Sequence, residues 1–318
     1  MARVLIVGGA GYVGGWLTDQ SILAGHEVRV LDNLTYEDMY LKAVDFFYAD
    51  ILDFKSIEKH LEWAETVIWL SALVGDPACA LNPKLTLQTN VSSIKNLVSA
   101  FGGRIIFPST CSVYGAQNEI LTEESPVAPL SLYAETKLEA ENILLSSGAK
   151  VLIFRLGTLF GLGDTYSRLR VDLVLNALTI RAVYEKSMSV FGGEQFRPLL
   201  HVRDVATAAI PEIESNSSGI YNLHNENLSI LELAKCIKKQ VPDSELEVTE
   251  ISFQDARNYR VDSSRAKSEL SFIPKFSVEF GINEVRDAVL RKRIKNFSNP
   301  RFNNSETLRI SLNQKEKI

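Results

Sequence analysis

The stretch VLIVGGAGYVG, residues 4–14, decides the fold. Its apolar first part predicts a buried strand, and the pattern G-x-x-G-x-x-G at Gly8, Gly11 and Gly14 leads directly into the helical stretch GWLTDQSILAG. Glycine allows a tight turn and lets the backbone approach a pyrophosphate, which the positive N-terminus of a helix attracts. The stretch therefore predicts the strand–turn–helix unit of a dinucleotide-binding fold, and a tight turn without a ligand is the less favoured alternative.

A carboxylate follows at the position that this unit requires. Asp32 ends the second apolar run, EVRVLD, eighteen residues after Gly14. A carboxylate there can accept hydrogen bonds from the ribose hydroxyls of an adenosine, and it would repel a 2′-phosphate. No arginine follows it directly. NAD is therefore favoured over NADP as the cofactor.

Apolar runs alternate with helical stretches through the rest of the first half. The runs AVDFFYAD, TVIWLSAL, RIIFPS and KVLIFRLG predict further strands, and their continuous Val, Ile, Leu and Phe content is typical of strands that are buried on both faces. We therefore predict an α/β fold, a Rossmann-type doubly wound parallel sheet with a smaller C-terminal substrate-binding lobe. The predicted divisions are a nucleotide-binding domain over 1–165, with 188–214 packing back onto it, a substrate lobe over 166–290 and a basic polar tail over 291–318.

Composition excludes several classes of function. The 318 residues are 46% hydrophobic and carry a net charge of -5, which gives no broad basic surface for nucleic acid. No apolar run approaches the roughly 18 residues of a membrane span, and the chain starts directly with a strand, so we expect no membrane partner and a cytoplasmic location. The three cysteines are widely spaced and predict neither a disulfide framework nor a metal site. The tail over 291–318, with eight Lys or Arg against two Glu, is expected to fray or to dock as a short appendage.

Three residues downstream predict an acid–base site. Tyr133 and Lys137 are four residues apart on a predicted helix, so their side chains share one face. A nearby ammonium, together with a positive nicotinamide ring, would lower the pKa of the tyrosine and allow it to act as a general base. Thr110 follows the apolar run RIIFPS, which places its hydroxyl at the carboxyl edge of the sheet, where it can bind the same substrate oxygen. The pair of residues alone would usually be a surface pair, so its position after the fifth strand carries the prediction.

The whole set of motifs resembles a known family. GGAGYVG, LDN, ADI, STCSVYG, YAETK and HVRDVA occur in this order, and together they resemble the extended short-chain dehydrogenase/reductases that act on nucleotide sugars, the NAD-dependent epimerase/dehydratase family. The resemblance implies that Thr110, Tyr133 and Lys137 are the catalytic residues. It also implies a cofactor site that comprises Gly8, Gly11, Tyr12, Val13, Gly14, Asp32, Asn33, Asp50, Ile51, Leu70, Ser71, Ala72, Tyr133 and Lys137. Of these, Asp50 could contact the adenine amino group or could simply cap a helix.

The same resemblance suggests residues that contact the substrate. Asn90 matches an asparagine on the active-site side of the family, with a buried structural asparagine as the alternative, and Arg197 matches a phosphate-binding arginine. Thr158 stands where many relatives have Asn. The pyrophosphate of a nucleotide sugar needs cations, so Arg168, Arg170 and Arg257 are further candidates; for each arginine alone, a solvated side chain or a salt bridge is the alternative. Asn176 could approach the sugar or a phosphate.

Two residues after Thr110 bear on the type of reaction. The family first oxidises the sugar, usually at C4, and its 4,6-dehydratases typically have Asp and Glu where this chain has Cys111 and Ser112. We therefore predict a nucleotide-sugar 4-epimerase. The alternatives are a 4-dehydrogenase or 4-ketoreductase, then a dehydratase or decarboxylase, and last a non-enzymatic NAD-binding protein. The helices near 84–101 and 131–147 resemble the pair at the dimer interface of the family, so a homodimer is expected.

Overall fold

The computed structural model describes residues 1–249, 257–293 and 296–315. The strands are β1 Arg3–Val7, β2 Glu27–Asp32, β3 Asp45–Tyr48, β4 Thr66–Trp69, β5 Arg104–Thr110, β6 Ala116–Leu121, β7 Lys150–Leu156, β8 Thr158–Phe160, β9 Ser187–Phe191, β10 Phe196–His201, β11 Gly219–Leu223, β12 Glu226–Ser229, β13 Glu245–Thr249 and β14 Asn258–Val261. The helices are α1 Gly14–Leu23, α2 Phe54–Trp63, α3 Asp76–Leu81, α4 Pro83–Leu87, α5 Ser93–Ala100, α6 Leu132–Ser146, α7 Val174–Tyr184, α8 Val202–Ala209, α9 Ile230–Gln240, α10 Ser264–Glu269, α11 Val278–Leu290 and α12 Asn304–Lys315.

Seven parallel strands form the central sheet, in the order β11-β7-β5-β4-β1-β2-β3. The chain proceeds from β1 outward through β2 and β3, and then returns to the other side of β1 as β4. In open α/β sheets, ligands bind at the carboxyl ends of the strands beside such a reversal. The predicted Rossmann-type doubly wound sheet is confirmed, and its reversal lies between β1 and β4.

Apolar side chains cover both faces of this sheet. On one face, α1 and α8 pack against residues such as Ile6 and Phe154, and on the other, α2, α5 and α6 pack against residues such as Leu5 and Ile153. These four strand side chains have no exposed surface. Burial on both faces explains why the strands have continuous apolar runs rather than alternating ones.

The remaining strands form three small sheets near the carboxyl edge. Their orders are β12-β10-β8, β13-β9 and β14-β6, and a third apolar core lies between α7, α9 and α11. The segment that was expected to form the substrate lobe also contributes β11 to the edge of the central sheet. In the described ranges, no helix is both long and apolar enough to cross a membrane.

Candidate active site

The glycine-rich turn lies against the end of β4. Gly8 has φ +84, a backbone conformation that favours glycine, and a Cβ at this position would lie 2.6 Å from the Ser71 backbone nitrogen. The first turn of α1 follows directly at Gly14. The turn therefore leaves backbone N–H groups and a helix N-terminus facing the reversal point, which is an arrangement that suits a pyrophosphate.

Residues from distant parts of the chain complete the start of α1. A Cβ on Gly15 would lie 2.5 Å from the carboxyl carbon of Asp164, so only glycine lets this carboxylate approach the helix. Lys42 Nζ lies 2.5 Å from Asp164 Oδ2 and 2.5 Å from Asp19 Oδ1, and it donates a hydrogen bond to the Gly15 carbonyl at 2.9 Å. The Tyr12 hydroxyl donates to the Gly161 carbonyl at 2.7 Å, and this hydrogen bond holds the loop after β8, which contains Asp164, against the glycine-rich turn.

The carboxylate that was predicted to bind ribose is held by backbone N–H groups. Asp32 Oδ2 accepts from Ala10 N at 3.0 Å, and Oδ1 accepts from Leu34 N at 2.8 Å. Burial raises its pKa, and these two hydrogen bonds oppose the shift. Next to it, the Asn33 amide donates to Asp50 Oδ2 at 3.1 Å. Asp32 is thus fixed at the end of β2 with its side chain in the cavity wall.

A cavity of about 800 Å³ runs along the carboxyl edge of the central sheet. Every residue that was predicted to bind the cofactor lines it, and so do the three predicted catalytic residues. The glycine turn without side chains, the helix N-terminus and a carboxylate at the end of β2 fit NAD. Gly8, Gly11 and Gly14 would hold its pyrophosphate, and Asp32 would hold its adenosine ribose.

The start of α6 places the predicted base. The Ser131 hydroxyl caps the helix by accepting from Ala134 N at 3.3 Å, and it donates to Asp76 Oδ1 at 2.6 Å. Tyr133 therefore lies in the first turn of α6, and its phenol is hydrogen-bonded to the Thr110 side chain, which lowers its pKa. Burial has the larger, opposite effect and raises the pKa of Tyr133 well above its usual value.

Lys137, one turn after Tyr133 on α6, is itself buried. Its Nζ donates to the Pro108 carbonyl at 2.5 Å and lies 3.8 Å from the centre of the Phe107 ring. Burial lowers the pKa of Lys137 to about 7, an effect that Glu141 opposes. At neutral pH this lysine is therefore only partly charged. The sequence expectation counted a full ammonium and a positive nicotinamide ring; in the structure, burial has the largest effect on the pKa of Tyr133 and raises it.

Sequence reasoning missed a buried polar network below the end of β5. Arg155 NH2 lies 2.7 Å from Glu141 Oε2, the Ser109 hydroxyl donates to the same carboxylate, and Arg155 NH1 donates to the Tyr114 hydroxyl at 3.0 Å. The Tyr114 hydroxyl in turn donates to Asn222 Oδ1 at 2.8 Å. The network fixes the residue before Thr110. The position of Glu141, four residues after Lys137 on one helix, was the signal that could have revealed it.

The two positions that follow Thr110 hold no acid–base pair. Cys111 is buried with its Sγ 3.2 Å from the Arg155 carbonyl, and burial raises the pKa of its thiol well above the usual range. The Ser112 hydroxyl lies 3.0 Å from the Tyr259 hydroxyl. Neither group can exchange protons with a substrate near neutral pH in the way that an Asp and Glu pair can.

Two of the predicted substrate contacts, both asparagines, are buried and hydrogen-bonded within the chain, which for Asn90 is the alternative given above. Asn90 accepts from Leu73 N at 2.8 Å and donates to the Leu73 carbonyl and to Thr136. Asn176 accepts from Gly161 N at 2.9 Å and donates to the Gly161 carbonyl at 3.0 Å. Neither side chain lines the cavity. Each satisfies backbone groups of a loop at the sheet edge, so the asparagines shape the site without facing it.

Other predicted substrate residues do line the cavity. Thr158 lies in its wall, and Arg197, which is 4% exposed, donates to the carbonyl of Arg257. Arg257 NH1 lies 3.1 Å from Asp76 Oδ2 at the start of α3. The Arg197 guanidinium thus contacts the backbone of Arg257, whose own guanidinium is paired with a carboxylate of α3, and both side chains line the cavity.

Arg168 also lies in the cavity wall, but its donors hold the C-terminal segment. Its NH1 donates to the Arg301 carbonyl at 2.9 Å, its NH2 donates to the Asn304 side chain, and its Nε lies 3.6 Å from Glu37 Oε1. Arg170 is paired with Asp172 at 2.6 Å. The segment that Arg168 holds belongs to the predicted basic tail, whose residues 294, 295 and 316–318 lie outside the described residues. Of the two alternatives for this tail, fraying or docking, its described part shows docking: Phe302 packs against the third apolar core, and α12 lines the cavity.

Comparison with known proteins gives consistent matches. A family model for the NAD dependent epimerase/dehydratase family matches residues 4–223. Among curated relatives, a UDP-glucuronic acid decarboxylase 1 of Danio rerio is 29% identical over 89% of this chain and 71% of its own length. A UDP-glucose 4-epimerase of Lactobacillus helveticus is 27% identical over 86% of this chain and 92% of its own length.

Solved structures share the fold. A UDP-glucose 4-epimerase of Thermotoga maritima with UDP-glucose has a TM-score of 0.80 at 24% identity, over 92% of this chain and 100% of its own. A UDP-glucuronic acid 4-epimerase of Bacillus cereus, in complex with UDP-glucuronic acid and NAD, has a TM-score of 0.79 at 22% identity, over 91% of this chain and 99% of its own. The glycine turn, Asp32 and the cavity at the sheet reversal agree with these matches, and the chain belongs to the NAD-dependent epimerase/dehydratase family, whose members act on nucleotide sugars with NAD as cofactor.

Proposed function

We propose that this protein is a nucleotide-sugar 4-epimerase, which oxidises the C4 hydroxyl of the sugar and reduces the resulting ketone on its other face. The observation that carries the proposal is the composition of the cavity around Tyr133. Thr110 can bind the C4 hydroxyl and Tyr133 can accept its proton, whereas Cys111 and Ser112 offer no carboxylates for the elimination of water. Oxidation and reversal at one carbon need no further acid–base group.

The roles of the residues follow from their positions. Thr110 binds the C4 oxygen and orients it towards Tyr133, which accepts the hydroxyl proton and later returns it. NAD, when bound, supplies the hydride acceptor and afterwards the hydride donor. Lys137, whose pKa is about 7, favours the deprotonated phenol only while it carries its own proton. Tyr133 is only partly buried in the wall of the cavity, so a bound sugar would cover its hydroxyl and exclude water from the reacting oxygen.

We assign the nucleotide diphosphate to the cations on the α3 side of the cavity. Arg197 and Arg257 lie together there, and guanidinium groups bind phosphate oxygens in bidentate fashion. Thr158, at the start of β8, adds a hydroxyl to the same cavity. Arg168 is less suited to this role because its donors already bind the C-terminal segment.

Decarboxylation of a nucleotide-linked uronic acid is the second candidate. Curated relatives with 26–29% identity are UDP-glucuronic acid decarboxylases, and Arg197 or Arg257 could bind a sugar carboxylate instead of a phosphate. The 4-keto intermediate is shared by both reactions, because a ketone next to the carboxyl-bearing carbon labilises carbon dioxide. The two candidates therefore differ in the fate of the ketone rather than in its formation.

One assay separates these reactions. The purified protein is incubated with NAD and a panel of UDP-, dTDP-, GDP- and CDP-linked sugars, and the products are analysed by mass spectrometry and proton NMR. Unchanged mass with inversion at C4 supports the proposal. Loss of carbon dioxide, of water or of two hydrogens would instead establish a decarboxylase, a dehydratase or a dehydrogenase, and each of these results would refute it.

We further propose that the protein is a homodimer that pairs through the surface of α4, α5 and α6. Leu87 and Leu145 are 43% and 47% exposed on these helices, where they could be covered by a second copy. Light scattering after gel filtration is expected to give twice the mass of the chain, and a mass of one chain would contradict the proposal. The cytoplasm stays the predicted compartment.

A further inference from the structure

The C-terminal segment forms a wall of the active-site cavity. Six of its side chains line the cavity, namely Asn303, Asn304, Ser305, Leu308, Ser311 and Leu312. All of them lie beyond residue 223, where the match to the family model ends. The wall therefore lies outside the region that the family model matches.

Polar contacts on both sides of the cavity hold this wall in place. Asn304 is 4% exposed; its Nδ2 donates to the Val74 carbonyl after β4 at 3.0 Å, and its backbone nitrogen donates to Asp172 at 3.1 Å. Arg168 donates to the Asn304 side chain and to the Arg301 carbonyl. Because Val74 belongs to the central-sheet side and Asp172 to the opposite side, the segment bridges the two sides of the cavity.

The inner face of α12 is apolar where it meets the catalytic tyrosine. Leu308 is 2% exposed and forms a cluster with Leu73, Ala78 and Cys79, and both Tyr133 and Leu312 pack against this cluster. By contrast, Ile310 on the same helix is 44% exposed and does not line the cavity. A sugar whose hydroxyl reaches Tyr133 thus has Leu308 and Leu312 beside it.

We propose that α12 retains the oxidised sugar in the site, with Leu308 and Leu312 determining the outcome of the reaction. The inference rests on the proposed epimerase function. In each half-reaction a hydride leaves or enters C4 and a proton moves to or from Tyr133, so a ketone that escapes after the first half leaves one reduced nicotinamide behind. Burial of Leu308 and partial burial of Leu312 hold the wall against α3 and lower the rate of that escape.

The test compares two products of the same incubation. NAD-loaded wild type, the double variant Leu308→Ser/Leu312→Ser and the matched control Ile310→Ser are given a nucleotide sugar that the wild type epimerises. The ratio of released 4-keto sugar and NADH to inverted product is then measured. We expect this ratio to rise about tenfold in the double variant, because the polar side chains weaken the packing of α12 against α3. In the control it should stay at the wild-type value. An unchanged ratio in the double variant would overturn the inference.

A second variant keeps the inference testable if the leucine variant does not fold, and a second measurement keeps it testable if the protein is not an epimerase. Asn304→Ala removes the bridge to Val74 without altering the apolar face, and it is expected to raise the same ratio. If the wild type yields no inverted product, the proposed function fails, and the dissociation rate of UDP-glucose or UDP-glucuronic acid from the NAD-loaded protein tests the wall instead. Dissociation about tenfold faster in folded leucine or Asn304 variants supports the wall, and equal rates refute it.

Discussion

Replacement of Glu141 by glutamine tests how much a buried ion pair contributes to the stability of the protein. Glu139, on the same helix, forms an exposed ion pair that serves as the comparison. The side chains of Glu141 and Arg155 are 1% and 4% exposed, and their carboxylate oxygen and guanidinium nitrogen are 2.7 Å apart. The side chains of Glu139 and Lys95 are 49% and 60% exposed, and their oxygen and nitrogen are 3.7 Å apart. Removing one partner of a buried pair leaves an uncompensated charge and costs about 3–5 kcal/mol of unfolding free energy. An exposed pair contributes about 0–1 kcal/mol.

The assay is urea denaturation of the wild type, Glu141→Gln and the matched variant Glu139→Gln. Glutamine keeps the size of the side chain and an oxygen for the Ser109 hydroxyl, so the loss measured is mainly that of the charge. The free energy of unfolding should fall by about 3–5 kcal/mol in Glu141→Gln and by at most about 1 kcal/mol in Glu139→Gln. Equal losses in both variants would refute the assignment of a buried, desolvated pair.

The same substitution should also change the pH profile. Burial lowers the pKa of Lys137 to about 7, and the Glu141 carboxylate partly opposes this shift by raising it. Removal of the Glu141 charge should therefore move the pKa of Lys137 below about 7. A reaction that needs the charged lysine declines as the pH rises through this pKa. The alkaline decline of kcat/KM should therefore begin at lower pH in Glu141→Gln than in Glu139→Gln, and superimposable profiles would contradict the link between the two side chains.

Further substitutions test the site. Tyr133→Phe should lower kcat by about 10²–10⁴ while NAD binding, followed by calorimetry, is retained. In the folded protein, Lys137 has a pKa of about 7 instead of 10.5. Between pH 7 and pH 10.5 the unfolded chain therefore binds more protons than the folded one, and the free energy of unfolding rises with pH. Lys137→Met should flatten this rise, as measured by urea denaturation at several pH values. Asp32→Ser should reduce the preference for NAD over NADP, measured as the ratio of dissociation constants. Asn176→Ala should cost about 1–3 kcal/mol in denaturation without a change in KM; a raised KM would restore its predicted contact with substrate.

The nucleotide-binding half was predictable because its signals are local. A strand that is buried on both faces must have a continuous apolar sequence, and a turn such as the one at Gly8, with φ +84 and the Ser71 backbone within 2.6 Å, leaves no room for a side chain. Asp32 then follows from the length of α1 and β2. Each of these requirements acts within about thirty residues, so the sequence alone displays them.

The residues of the second half could not be placed in the same way. An asparagine presents the same amide to a ligand or to a backbone, and only the fold shows that Asn90 and Asn176 face loops. Leu308 and Leu312 give α12 an apolar stripe of a single turn, which is too short to have predicted a packed helix. The pKa of Tyr133 depends on burial by segments that are far apart in sequence, which no local spacing reveals.

The contact between Gly15 and Asp164 has a consequence for how the protein matures. The start of α1 is made early during synthesis, but Lys42 and Asp164, which complete it, meet only when the chain has passed β8. Contacts between residues so distant in sequence form late, because closing the intervening loop costs entropy before any contact offsets it. An N-terminal fragment that ends before β8 should therefore lack a finished dinucleotide site. A nascent chain should therefore bind NAD only after the sheet and the loop after β8 have assembled.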